Sequence, residues 1–351
     1  MRTHGSIALP DLPEEPLVSV LVASYNYARY IGRALGSLGA QSYARFEAVV
    51  CDDGSTDASR EIVSGHAFGD ARIRLIVKEN GGVASALNAA YRACGGDIIC
   101  LLDADDFFFP DKLARVVRLF RNRPEAGMAL HAMEVVDSRE QRLRRIPVLG
   151  TFEEGWIAET VRARGGRWRS MPAGALCFRR ALADRLFPIP EASFRSEADG
   201  YLSVLAAMLT TVAFLPETLA GYRLHEANLT GALRLDRAVY ARHLDALRRI
   251  IEAVNQRLTE LQVPGPLLSI DANLNYREDA FSLALFDGEP RRALWRAFVP
   301  LARALLADDL YAFPRKALGI VAFGTAVLLP ARLRPSWLRH ALDGFGLRGR
   351  L

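Results

Sequence analysis

The residues Asp97-Ile98-Ile99-Cys100-Leu101-Leu102-Asp103-Ala104-Asp105-Asp106 carry the sharpest chemical signal in this 351-residue chain. An apolar run of strand length ends in three carboxylates over four positions. Such a run reads as a strand buried on both faces. Carboxylates at its C-terminal end sit where open α/β sheets bind ligands. Three acids this close repel one another until a cation neutralises them. A hard divalent cation with oxygen ligands is the simplest such partner. Taken alone, the same acids also read as a solvated, helix-capping loop.

Two further loops upstream bear on that choice. In Asp52-Asp53-Gly54-Ser55-Thr56-Asp57, Gly54 suits a tight turn, and Thr56 or Asp57 can cap a helix. Turn and cap leave the pair Asp52 and Asp53 unexplained, and a carboxylate there can accept hydrogen bonds from a ribose or a base. Asn80-Gly81-Gly82 is a glycine-rich turn, but it is neither G-x-G-x-x-G nor a Gly-Lys-Ser/Thr phosphate loop. That excludes a conventional dinucleotide fold and a P-loop enzyme.

The elements that position these loops alternate. Strands are expected over 17–23, 46–51, 73–77 and 98–102, with helices over 30–39, 58–67, 83–93 and 110–122, the last opened by Pro110. This alternation implies an α/β fold with a mostly parallel central sheet. Beyond about residue 128 the pattern mixes short strands with loop. An apolar helix is expected over 201–209, after Asp199, and a last strand over 212–217. Leu244, Leu247, Ile251, Val254, Leu258 and Leu261 recur at helical spacing and predict a helix packed on the α/β domain.

Half the residues are hydrophobic, enough for one large or two moderate domains. The four cysteines lack metal-ligand spacing, and a reducing cytoplasmic setting fits them. Pro10, Pro13 and Pro16 follow only a short apolar stretch, so 1–16 reads as a loosely ordered lead-in and not as a signal peptide. From Glu289 onward eleven Lys/Arg face four Asp/Glu, within a net charge of +5. A basic, apolar-rich tail suits the anionic inner face of a membrane before it suits nucleic acid, although it also reads as a solvated face. Residues 317–329 hold Thr325 as their one polar side chain. They read as a buried helix, as an interfacial segment burying Ile320, Val321, Phe323, Val327 and Leu328, or as a short span.

Four motifs in order carry a family resemblance: Val18-Ser19-Val20-Leu21-Val22-Ala23-Ser24-Tyr25-Asn26, the Asp52–Asp57 loop, Asn80-Gly81-Gly82, and Leu102-Asp103-Ala104-Asp105-Asp106. Together they resemble a family 2 glycosyltransferase, which implies an inverting enzyme of the GT-A, or nucleotide-diphospho-sugar transferase, fold. The resemblance implies a catalytic domain over 17–232, with a donor half at 17–127 and an acceptor half at 128–232. A helical extension over 233–351 would follow.

The resemblance also implies roles. Ala23 and Tyr25 would meet the nucleotide base, and Asp53 the uracil or ribose. Asn80, Gly82, Asp103 and Ala104 would line the donor site. Asp103 and Asp105 match the D-x-D pair that holds Mg²⁺ or Mn²⁺, and His225 would add a third metal contact. Asp199 matches the catalytic base, although Ala198 precedes it where the family often has Glu, which here stands at Glu197. The donor would be a UDP-sugar, and the acceptor a saccharide or lipid-linked hydroxyl in cell-surface polysaccharide synthesis.

Two other classes are weaker matches. A sugar-nucleotide nucleotidyltransferase would place a glycine-rich basic loop near the first strand, where Ala23-Ser24-Tyr25-Asn26-Tyr27 stands. A non-catalytic carbohydrate-binding protein would not need Asp53, Asp103, Asp105 and Asp199 together.

Overall fold

The computed structural model describes residues 7–146, 152–225 and 236–344. β1 (Val18–Ser24), β2 (Phe46–Asp52), β3 (Ile73–Val77) and β4 (Ile98–Asp103) alternate with α1 (Ile31–Gly39), α2 (Ser59–Gly69) and α3 (Val83–Ala93). β1, β2 and β4 are Val-, Ile- and Leu-rich and buried along nearly their whole length, as a sheet covered on both faces requires. β1 pairs in parallel with β2 and β4, and β2 in parallel with β3.

The second half adds β5 (Phe107–Phe108), α4 (Lys112–Asn122), β6 (Ala126–Val136), β7 (Arg142–Ile146) and α5 (Ala158–Ala163). β8 (Cys177–Arg179), α6 (Arg180–Leu186), α7 (Ala198–Leu209) and β9 (Thr211–Arg223) follow. One mixed sheet results, in the order β3-β2-β1-β4-β8-β6-β9-β5, with β7 on β6.

Three expectations shift here. α4 starts at Lys112, so Pro110 stands outside it. α7 starts at Ala198, which places Asp199 inside its first turn. β9 continues past Pro216 to Arg223 instead of ending at 217. Its pairing with β6 jumps from Leu215 to Thr218, a bulge at the position of Pro216.

The chain forms two compact units that interleave in sequence. One holds Met1–Glu159, Ser170–Glu226 and Gln256–Gly265, and the other Thr160–Arg169, Ala227–Asn255 and Pro266–Leu351. The expected boundary at 232/233 lies outside the described residues. Within the first unit, residues 7–16 form no helix or strand. They are nevertheless pinned by Ile7 N–H on the Leu209 carbonyl, Arg179 on Pro10 and Tyr43 on Pro16.

Among the described residues beyond β9 the elements are helices: α8 (Arg237–Glu260), α9 (Leu274–Phe286), α10 (Arg291–Ala307), α11 (Phe313–Leu328) and α12 (Arg334–Gly344). In the second unit Phe281, Leu285, Leu294, Phe298, Leu305 and Phe323 share one apolar core. Arg164 and Arg167 pair there with Asp309 and Asp308. The 317–329 run falls in α11, where Phe323 and Val327 are buried while Val321 and Leu328 face outward. Among the described residues no helix is long and apolar enough to cross a membrane.

Candidate active site

Parallel register aligns the strand ends that carry the acids. Ser24 of β1 lies opposite Asp52 of β2, and Ala23 opposite Asp103 of β4. This is the carboxyl edge at which open α/β sheets bind ligands.

At the β2 end both oxygens of Asp53 are answered. Asp53 Oδ1 accepts from Lys78 Nζ at 2.7 Å and Gly81 N at 3.0 Å, and Oδ2 accepts from Gly82 N at 2.7 Å. Gly82 has φ +89°, and a Cβ there would stand 2.6 Å from Arg195 Cα, so only glycine fits this turn. Asp52 Oδ1 accepts from Ser55 N and Arg60, while its buried Oδ2 has no hydrogen-bond partner among the described residues. Asn26, at φ 59°, accepts from Thr56 N at 2.8 Å and laces the β1 loop to this turn. Tyr25 stands exposed above it, Ala23 is half-buried, and Asn80 accepts from Arg195. Asp57 binds Ser59 instead of capping α2.

The β4 end is different. Burial, then the charges of Asp105 and Asp199, push the Asp103 carboxyl up to about 8. The charge of Asp199 thus reaches Asp103, whereas Glu197 is exposed. Burial, then Asp105 and Asp103, also raise Asp106. Its Oδ1 accepts from Arg223 N at 2.8 Å, and its Oδ2 has no partner among the described residues. Lys112 lies buried behind them, donating to the Gly174 carbonyl, with Nζ 3.3 Å from the Phe108 ring centroid. Burial holds this ammonium below its ordinary range. Ala104 is buried, so its methyl offers no ligand surface.

His225 Nε2 lies 2.9 Å from Asp105 Oδ2, and its ring stacks on Tyr30 at 4.7 Å. Arg223 Nε donates to the Asp105 carbonyl at 2.7 Å, and its Nη2 to Glu140 at 3.0 Å. Arg223 thus braces both acids from buried surroundings. Tyr27, Tyr30, Arg223 and Glu140 escape the sequence reading. The Tyr222-Arg223-Leu224-His225 string signals Arg223, but nothing local signals Glu140, which a hairpin turn brings in from 83 residues away.

The loop before Asp199 is fastened to α3. Val83 N donates to the Arg195 carbonyl at 3.0 Å and Ala84 N to that of Phe194 at 3.1 Å. Asn88 holds both the N–H and the carbonyl of Ile189 at 2.8 Å.

Among the described residues no three His, Cys, Asp or Glu side chains form a metal cage of their own. The donor set still suits a hard divalent cation. It offers clustered carboxylates, with Asp103 and Asp106 raised by burial and then by their acidic neighbours, and one imidazole beside Asp105. Oxygens of a bound diphosphate would complete the coordination.

Comparison with known proteins gives the family. The description "Glycosyl transferase family 2" matches residues 19–187. An uncharacterized glycosyltransferase of Nostoc sp., alr2836, is 31% identical over 269 residues, 75% of this chain and 82% of that protein. The chain belongs to glycosyltransferase family 2. A chondroitin synthase of Escherichia coli is 40% identical over 120 residues, 34% of this chain and 18% of the synthase. The crystal structure of S. aureus TarS 1–349 in complex with UDP-GlcNAc superposes with TM-score 0.53. It has 17% identity and covers 94% of this chain and 91% of that one, which gives this family 2 member the GT-A fold. The motif matches lie in the first unit, on the strand ends described above.

Proposed function

We propose that this glycosyltransferase moves a sugar from a UDP-sugar to a hydroxyl of a saccharide or lipid-linked acceptor, with inversion at the anomeric carbon. The acceptor belongs to cell-surface polysaccharide or glycoconjugate synthesis on the inner face of the cytoplasmic membrane. The observation that carries this reading is the placing of Asp103 and Asp105 at the end of β4, with Asp199 of α7 close enough for its charge to raise the Asp103 carboxyl. The UDP-GlcNAc bound by the structural neighbour supports the donor class.

Asp103 and Asp105, with His225 beside them, would hold Mg²⁺ or Mn²⁺ together with the donor diphosphate. Such a cation supplies Lewis-acid stabilisation of the charge that develops on the leaving phosphate. The β1 and β2 loops, through Ala23, Tyr25, Asp53 and the Asn80–Gly82 turn, hold the nucleotide. Tyr30 and Arg223 keep His225 and Asp105 in place. Asp199 accepts the proton of the attacking hydroxyl. Burial raises its carboxyl from the ordinary range, which brings it closer to the basicity a general base needs near neutral pH. One in-line displacement inverts the sugar and requires no covalent intermediate.

A panel of nucleotide-sugars, incubated with Mn²⁺ or Mg²⁺ and read by released nucleoside diphosphate, tests the reading. A metal-dependent release confined to UDP-sugars is expected. Release that is unaffected by EDTA overturns the metal assignment, and release from another base overturns the donor.

A further inference from the structure

Thirteen large apolar side chains stand exposed among the described residues, and seven of them fall between Trp295 and Leu333. Exposed apolar residues scattered singly are ordinary, but a cluster marks an interaction surface. In α10, Trp295, Val299, Ala302 and Leu306 recur at i, i+4, i+7 and i+11 and form one stripe. Leu294, Phe298, Leu301 and Leu305 on the adjacent face are buried in the unit's core. Arg292, Arg296 and Arg303 run beside the stripe on its other flank, all exposed. α11 adds Val321 and Leu328, spaced by seven, on the side away from Phe323 and Val327.

The two helices are tied to each other at both ends. Lys316 of α11 donates to the Leu306 carbonyl, and Arg291 of α10 to the Leu328 carbonyl. Charge is one-sided as well. From Arg291 to Leu342 there are nine Lys/Arg and two acids, Asp308 and Asp309. Both acids are paired, with Arg167 and Arg164.

We propose that the α10–α11 face docks on an anionic phospholipid surface. Trp295, Val299, Leu306, Val321 and Leu328 enter the headgroup–acyl boundary, and the flanking arginines meet lipid phosphates. A tryptophan at the level of the headgroups, with arginine stems lying along the apolar stripe, is the arrangement an interfacial helix uses. A nucleic-acid surface would not account for the aliphatic stripe. This deepens the membrane-side reading given above, and it replaces the 317–329 run as the contact with a face drawn from two helices.

Vesicle flotation of the full chain tests it, with phosphatidylcholine alone against phosphatidylcholine mixed with phosphatidylglycerol. The protein is expected to float only with the anionic vesicles and to be released by salt. Arg292→Gln with Arg296→Gln should weaken partitioning about thirty-fold, at about 1 kcal/mol per arginine. Trp295→Gln with Val299→Gln should weaken it at every salt concentration. Circular dichroism melts check that these exposed substitutions leave the fold intact. No flotation with anionic vesicles, or flotation indifferent to both variants, overturns the proposal. A dimer in sedimentation that Val299→Glu dissolves, without lipid binding, assigns the face to a second copy and also overturns it. Donor hydrolysis is read separately, so loss of lipid binding with activity intact is distinct from failure of the transferase reading.

Discussion

At the end of β2, Asp53 accepts from an ammonium and two backbone N–H groups, and Asp52 from Ser55 and Arg60. At the end of β4, two strands away in the same sheet, half-buried Asp103 and buried Asp106 lie among like charges. The ammonium behind them, Lys112, lies against a carbonyl and a ring. A carboxylate whose lone pairs are filled within the chain holds local structure. A carboxylate left repelling its neighbours stores unfavourable energy that a cationic partner can release. Sequence places both pairs at strand ends, and only their surroundings tell a brace from a receptor.

The largest effect that would break this comparison comes from Asp105→Ala. It should bring transfer to background and remove the metal dependence of donor binding, followed by released nucleoside diphosphate and by titration with and without Mn²⁺. Next, Asp199→Asn should lower kcat by roughly two to four orders of magnitude while donor binding persists. Glu197→Gln serves as its comparator and should remain active. If the two outcomes are exchanged, the base is Glu197.

Asp53→Ala tests the compensated side. It strands Lys78 and the Gly81 and Gly82 N–H groups, so stability should fall by about 1–3 kcal/mol in urea, with donor KM raised more than kcat is lowered. Asp103→Asn tests the other side and should do the reverse. Above pH 8, where the Asp103 carboxyl is ionised, removing one of the mutually repelling charges should raise the melting temperature in EDTA, while transfer is lost. A lower melting temperature for Asp103→Asn would show that the two strand ends do not differ as described.

The smallest effect separates the acids from the rest of the sheet. His131 in β6 is fully buried, and burial, then Lys112, hold its imidazole well below the ordinary range. The unfolded chain takes up a proton near pH 6.5 that the folded chain does not. Stability should therefore fall as pH drops below that point, by up to about 1.4 kcal/mol per pH unit. His131→Leu should flatten that slope in pH-dependent melts and leave the activity profile unchanged.

The first four strands and three helices were legible because a parallel sheet imposes long apolar runs and regular spacing. β3 and α3 begin and end where the sequence pattern places them. Beyond α4 that regularity ends. β8 is three residues long, and β9 hides its length behind Pro216, which a bulge accommodates. The acids themselves were legible, but their state was not. Whether Asp53 is clamped and Asp103 is not depends on Lys78, Gly82, Asp199 and Arg223, which long-range packing brings in. The pairing of the 160s with Asp308 and Asp309 is equally non-local and leaves no mark in composition.

The loop that leads into Asp199 is stapled to α3. The turn that clamps Asp53 and the loop that leads into Asp199 thus share one frame. Under the proposed function, loops outside that frame can be rewritten for a new acceptor without retuning the distance between base and leaving group. A lineage built on this scaffold could change what it decorates while inheriting its chemistry intact.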